Sequence, residues 1–154
     1  MTGNEYADRI AAYVLKNFAV RGVVVYREVS FGKTIIGKNR HVDVFVVHAA
    51  SGTAFAIECK YQDSVGTVDE KIPYAIQDMQ AMGMPVCLAY AGGGFSDGIL
   101  HMLAACPIAA YCMPPATLEA CKETRELDVA MAMAFRWWDL AVVNKKPFAP
   151  PSQA

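Results

Sequence analysis

The stretch AIECKYQ, residues 56–62, places Glu58 and Lys60 two positions apart inside a run that otherwise has the composition of a buried strand. Two strands are predicted here, HVDVFVVH at residues 41–48 and TAFAIECKY at residues 53–61, joined by the short turn AASG. Charged side chains seldom lie in a buried strand without a partner. Glu58 and Lys60 are therefore expected to face a charged partner.

The hairpin between these strands brings Asp43 to the same face as Glu58 and Lys60. With the turn centred on residues 50–51, Asp43 lies opposite Glu58; with the turn centred on residues 51–52, it lies opposite Lys60. Both registers put the three side chains on one face, because side chains alternate along a strand with period two. A three-residue loop or a bulge would break this arrangement.

Two neighbouring carboxylates and a lysine are suited to binding a divalent cation and a phosphodiester. Carboxylates that lie close together repel each other, and a hard cation relieves the repulsion through oxygen ligands. A lysine beside them can hydrogen-bond a water molecule or a phosphate oxygen. A simple ion pair on a solvated face is the alternative. The neighbouring positions on both faces are apolar, however, so we expect the charges at one end of a covered sheet, where a cleft forms.

The rest of the chain predicts a mixed sheet flanked by helices. The predicted elements are a helix over residues 2–18, a strand over 20–29, the two hairpin strands, a helix within 66–83, a strand over 85–91, a helix over 97–105, a strand over 107–113 and a helix over 117–140. The start of the helix within residues 66–83 is open. Thr67 and Glu70 fit a capping box, whereas Pro73 favours a start at which it occupies the first helical position.

Composition indicates one folded domain over residues 1–143 and a flexible, proline-rich tail over residues 144–154. The net charge of −1 provides no global positive field, so a nucleic-acid partner requires a local basic patch. The uncharged stretch 98–118 contains prolines and predicts a buried helix and strand, not a membrane span. Five cysteines without a CxxC pair, and an N-terminus without the apolar core of a signal peptide, favour a cytoplasmic protein with reduced thiols.

Over residues 2–112 the sequence resembles the PD-(D/E)XK nuclease superfamily. The resemblance lies in Asp43, fourteen intervening residues and Glu58-Cys59-Lys60 at the end of the next strand, and in the order helix, three strands, helix, strand. The residue before Asp43 is Val42 where the motif name has proline. The resemblance implies a restriction-endonuclease-like fold of three layers, α/β/α, with a central mixed β-sheet flanked by helices. It also implies a metal-dependent nuclease that acts on DNA.

The resemblance implies a role for each matching position. Asp43 and Glu58 would bind Mg²⁺, for which Mn²⁺ can substitute, together with the backbone carbonyl of Cys59, whose thiol would point to the opposite face. Lys60 would position the water molecule that attacks phosphorus. Glu5 matches an acid that helps to bind a metal in some relatives, although its capping-box spacing explains it equally well.

The candidates for binding the substrate are Lys38, Arg40, Lys71 and Gln77. Lys38 and Arg40 belong to the basic connection before the hairpin. Lys71 either reaches a phosphate or pairs with an acid one helical turn away. Gln77 matches a polar position that some relatives direct at the site, and a solvent-facing glutamine explains it as well. His41 shares the predicted face of the carboxylates, and an ordinary surface position is the safer interpretation.

Two other function classes stay open. The first is a catalytically silent DNA-binding or assembly module that retains the nuclease fold, which the near-neutral charge favours modestly. The second is a nucleotide-binding domain that uses the glycines of AGGGFSDG, residues 91–98. The third glycine of the dinucleotide motif falls on Asp97, so a turn with a helix cap is favoured. A homodimer with two sites is one way to cut both strands of a duplex, and the sequence leaves it open.

Overall fold

The computed structural model describes residues 1–152, which contain a mixed five-stranded sheet between layers of helices. The strands, in spatial as well as chain order, are β1 (Val23–Lys33), β2 (Asn39–His48), β3 (Thr53–Tyr61), β4 (Val86–Ala91) and β5 (Ala109–Tyr111). The first two pairings are antiparallel, and β3–β4 and β4–β5 are parallel. The helices are α1 (Gly3–Phe18), α2 (Val68–Gln80), α3 (Asp97–Ala105), α4 (Arg125–Phe135) and α5 (Trp138–Ala141).

Helices cover both faces of the sheet, as the apolar pattern of β3 and β4 requires. The core on the side of α1 and α4 includes Tyr6, Ile10, Val44, Ile57, Leu127 and Met131. The core on the side of α2 and α3 includes Ile72, Met79, Leu88, Tyr90, Phe95 and Leu103. The predicted three-layer α/β/α arrangement with a central mixed sheet is confirmed.

The register between β2 and β3 is the first of the two that the sequence allows. The ladder begins at Val44, which pairs with Ile57, and it ends at the turn formed by residues 49–52. One step beyond this first pair, Asp43 comes opposite Glu58. The end of the ladder at this point leaves backbone groups of β3 free to bind the Asp43 side chain.

The hairpin formed by β1 and β2 is longer than predicted. β1 continues past residue 29 to Lys33 and β2 begins at Asn39, so only residues 34–38 form the loop. A bulge between Ser30 and Lys33 shifts the pairing there. The basic connection continues the antiparallel ladder because its backbone groups find partners across the hairpin. The hairpin therefore continues past the point where the ladder between β2 and β3 ends at Val44.

The helix predicted over residues 117–140 is confirmed in α4 and at the start of α5, and is wrong in its first residues and at the break between the two helices. Residues before 122 in that range form no helix, and α4 begins only at Arg125. Arg136 adopts a left-handed conformation, with φ of 63°, which ends α4. Trp137 then stacks on Phe18, with 5.5 Å between the ring centroids. Contacts made far along the chain thus override the helical periodicity.

Smaller differences concern α2, β5 and the tail. Pro73 lies inside α2, which starts after Thr67, although the Thr67 side chain makes no capping hydrogen bond. β5 spans three residues and not the whole of 107–113. Residues 145–152 form no helix or strand, and residues 153–154 of the predicted tail lie outside the described part of the chain. Within residues 1–152, no helix combines the length and hydropathy needed to span a membrane.

Candidate active site

Asp43, Glu58 and Lys60 meet where β2 and β3 separate, on the face of the sheet that α2 covers. The ammonium group of Lys60 lies 3.4 Å from Glu58 Oε1, and each of these side chains is only 21% exposed. The Oδ2 atom of Asp43 accepts a hydrogen bond of 2.8 Å from the backbone N–H of Cys59. The Asp43 carboxylate therefore takes the place of a ladder partner and lies directly beside β3.

The two carboxyl groups perturb each other strongly. Burial, a hydrogen bond to Asp43 and the negative charge of Asp43 raise the pKa of Glu58 to about 8, against the opposing effect of Lys60. These effects favour the neutral form of the Glu58 carboxyl group over the charged form. A divalent cation bound here would offset the repulsion between the two carboxylates and favour their charged forms.

Cys59 contributes its backbone to this site. Its thiol is buried in the core beside α1, on the opposite face from Glu58 and Lys60, and burial raises the pKa of the thiol well above its usual range. The N–H and C=O groups of one strand residue point to the same side. Since the N–H of Cys59 points to Asp43, its carbonyl oxygen faces the same gap between β2 and β3.

Arg27 on β1 holds the backbone of Asp43 in place. Its guanidinium donates to the Asp43 backbone carbonyl at 2.7 Å and to Asp8 Oδ1 of α1 at 2.9 Å. This residue thereby ties the end of β2 to both β1 and α1. The sequence carries no local signal for this contact, because it depends on the β1–β2 register.

Glu58 and Lys60 form the floor of a cleft of about 380 Å³. One wall is the β1–β2 hairpin, which contributes Ile36, Lys38 and His41. The other wall is α2, which contributes Lys71, Tyr74, Ala75, Asp78 and Met79. The spacing of these α2 residues is that of a single helix face, at i, i+3, i+4, i+7 and i+8 from Lys71. This spacing is the signal in the sequence that could have identified Tyr74 and Asp78 as neighbours of the site.

Asp78 joins the two walls of the cleft. Its carboxylate accepts hydrogen bonds from the backbone N–H of Ile35 at 3.0 Å and from Arg40, at 3.1 Å from Nε and 2.7 Å from Nη2. Hydrogen bonds from Arg40 and Ile35 hold the pKa of Asp78 below its ordinary value, although burial opposes this. The hairpin tip is thus fixed to α2 by a carboxylate that is only 12% exposed.

Of the residues predicted to bind the substrate, some line the cleft and others do not. Lys38 and Lys71 line the cleft, whereas the Arg40 side chain is engaged by Asp78. Gln77 is exposed six positions after Lys71, on a different side of α2, where it lies near Pro73, Ile76 and Met102 instead. The structure does not bring Gln77 into the cleft, because a helix turns by 100° per residue.

Glu5 is likewise not brought to the carboxylate pair. It completes the capping box of α1: the Thr2 N–H donates to its carboxylate at 2.6 Å, and its own N–H donates to Thr2 Oγ1 at 3.1 Å. Among residues 1–152, no three His, Cys, Asp or Glu side chains come close enough together to hold a metal ion. Asp43 and Glu58 are the neighbouring carboxylates beside the Cys59 backbone.

The glycines of AGGGFSDG serve the packing of two loops. A Cβ atom on Gly92 would lie 2.2 Å from the carbonyl oxygen of Gln62, and one on Gly94 would lie 2.4 Å from the carbonyl oxygen of Ser64. Ser96 then caps α3 by accepting from the Ile99 N–H at 3.4 Å. The space beside these glycines is filled by the loop that follows β3, so they form no cradle for a nucleotide.

Comparison with known proteins identifies a family. The model of a family described as a PD-(D/E)XK nuclease superfamily domain matches residues 2–138. A solved structure of a protein of unknown function, AF1548, is 17% identical, with a TM-score of 0.43, over 67% of this chain and 56% of that one. A repair endonuclease from Pyrococcus abyssi is 18% identical, with a TM-score of 0.39, over 66% of this chain and 44% of that one. The chain thus spans about half the length of these two proteins, and no curated protein matched it.

Proposed function

Because the chain belongs to the PD-(D/E)XK nuclease superfamily, we propose that it is a Mg²⁺-dependent nuclease that hydrolyses phosphodiester bonds of DNA. The observation that carries the proposal is that Asp43 lies beside Glu58 at the Cys59 backbone, while Glu58 and Lys60, 3.4 Å apart, line the cleft. These are the three positions at which the sequence resembles the motif of the family. The reaction requires a bound cation, an activated water molecule and a bound phosphate, and each has candidate residues here.

The donor groups fit a hard divalent cation. Asp43 and Glu58 are neighbouring carboxylates, and burial, followed by the hydrogen bond and the charge of Asp43, raises the pKa of Glu58. These two side chains and the carbonyl of Cys59 would hold Mg²⁺, or Mn²⁺ in its place, through oxygen atoms. The bound cation supplies charge neutralisation for the phosphodiester and favours ionisation of a nearby water molecule.

Lys60 is the residue that we assign to the attacking water. Its ammonium group is held at the floor of the cleft by Glu58 and is 21% exposed, so it is both positioned and accessible. From there it can donate a hydrogen bond to a water molecule or to a phosphate oxygen, and its positive charge stabilises the negative charge that develops on the phosphate.

Lys38 and Lys71 stand on opposite walls of the same cleft. Their ammonium groups are suited to binding the phosphates on either side of the scissile bond. Arg40 acts indirectly in this proposal, because its pairing with Asp78 holds the hairpin wall in place.

Cleavage of labelled DNA with increasing Mg²⁺ tests the proposal. We expect cleavage that requires the metal and that falls about 100-fold or more in Lys60→Met, since a group that positions the water contributes on that order to the rate. Lys145→Met is a matched control, because Lys145 is exposed beyond α5 and lies outside the cleft.

Two results would contradict the proposal. One is cleavage that Lys60→Met leaves unchanged, which would indicate a contaminating nuclease. The other is DNA binding that depends on salt but never leads to metal-dependent cleavage of single-stranded, duplex or branched substrates. That outcome would instead identify a silent binding module with the nuclease fold.

A further inference from the structure

The cleft has a charged floor and an apolar upper part. Glu58 and Lys60 form the floor, whereas Tyr74 and Met79 on α2 face the same space as Ile36 on the hairpin. Ile36 is 60% exposed although it is a large apolar side chain. Sugars and phosphates bind weakly to an apolar surface, whereas the flat face of a base binds to it by stacking and apolar contact.

The apolar wall is held in place. Ile36 follows Ile35, whose N–H donates to Asp78 at 3.0 Å, and the same carboxylate binds Arg40 at 2.7 Å. The two walls are therefore tied together on one side of the cleft, and Tyr74 lines the same cleft one helical turn before Asp78 on α2. A ligand that enters meets a surface formed before it binds.

The number of cations in the cleft is small. Lys38, Lys60 and Lys71 are its lysines, and within residues 1–152 neither Lys38 nor Lys71 forms an ion pair. Proteins that bind duplex DNA commonly neutralise about 6–10 phosphates, spread over a wide surface. Three lysines in a cleft of about 380 Å³ match a short length of one backbone.

We propose that the cleft holds one unpaired polynucleotide strand, with a base against Tyr74 and Ile36. The phosphates of that strand lie beside the three lysines, and the scissile one lies over the floor. In a duplex the faces of the bases are covered by their neighbours, so only an unpaired segment can use the apolar wall. The inference rests on the proposed nuclease function, for which it names the substrate: single strands and unpaired segments rather than continuous duplex.

Binding without metal tests the substrate class separately from cleavage. The fluorescence anisotropy of a short labelled oligodeoxynucleotide is measured in EDTA, both as a single strand and as a blunt duplex of the same sequence. We expect the single strand to bind at least about 10-fold more tightly. We also expect the logarithm of its binding constant to fall with the logarithm of salt concentration with a slope near about −2, since each phosphate on a single strand contributes about −0.7.

Substitution of Tyr74 tests the stacking contact. We expect Tyr74→Leu to weaken single-strand binding about 10-fold, because one stacked base has an effect of this order, and Tyr74→Phe to leave it unchanged. Gln80→Ala, on an exposed position of the same helix, is the control. Thermal unfolding of each variant distinguishes a lost contact from a lost fold. Equal binding by Tyr74→Leu at an unchanged unfolding midpoint would overturn the inference.

The two proposals fail in different ways. If duplex DNA is cleaved in a manner that requires Lys60 while single strands are bound and cut no better, the inference on the substrate falls and the nuclease function stands. If single strands bind in a manner that depends on Tyr74 but no substrate is ever cut, the inference on the strand stands and the nuclease function falls.

Discussion

The carboxyl pair predicts that the metal-free protein loses stability as the pH rises and that Glu58→Gln removes this loss. The pKa of Glu58 is raised from 4.5 to about 8 by burial and by Asp43. Between these two values the folded protein holds a proton that the unfolded chain has released. The free energy of unfolding therefore falls with increasing pH. The stabilising contribution is complete below about pH 4.5 and is lost as the pH passes through about 8.

The magnitude follows from the size of the shift. One pKa unit corresponds to about 1.4 kcal/mol, which gives an upper limit of about 5 kcal/mol across the whole interval. The Glu58 side chain is 21% exposed, so screening by solvent reduces this value. We expect the free energy of unfolding of Glu58→Gln to rise relative to the unaltered protein by about 2–3 kcal/mol between about pH 5 and about pH 9.

Urea unfolding in EDTA, followed by tryptophan fluorescence at a series of pH values, measures this difference. Glu119→Gln is the matched control, because Glu119 is exposed and remote from the cleft, and its curve is expected to follow that of the unaltered protein. Addition of Mg²⁺ at about pH 9 is expected to restore stability to the unaltered protein and much less to Glu58→Gln. Parallel pH profiles for Glu58→Gln and the unaltered protein would refute the reasoning.

Two further predictions concern the parts of the fold that hold the site. Gly92→Ala places a methyl group 2.2 Å from the Gln62 carbonyl oxygen, at a φ of +104°. We expect chemical denaturation to show that the free energy of unfolding falls by about 3 kcal/mol or more. Gly93→Ala is the control: it has open space around it, so its free energy of unfolding is expected to change by no more than about 0.5 kcal/mol. Asp78→Ala removes the acceptor of the Ile35 N–H, so we expect hydrogen exchange at that amide to accelerate. We also expect the free energy of unfolding to fall by about 2–3 kcal/mol. An Ile35 amide that stays equally protected in this variant would show that the hairpin is held by other contacts.

Much of the site could be predicted from the sequence because the relevant interactions are local or periodic. Side chains alternate along a strand, so either register of the AASG turn puts Asp43 on the face of Glu58 and Lys60. The capping box of Thr2 and Glu5 is also a local pattern, and the structure contains it. The roles of these residues in catalysis and metal binding stay proposals.

The alternation that places Asp43, Glu58 and Lys60 on one face can be read from the chain, since it depends on neighbours in sequence. The cleft, in contrast, is formed by contacts between distant segments. Asp78 binds Ile35, 43 positions away, and no periodicity connects them. The helix that should have run to residue 140 stops because Arg136 is left-handed and Trp137 packs on distant Phe18. Contacts between distant residues have no period in the chain, so only the folded arrangement reveals them.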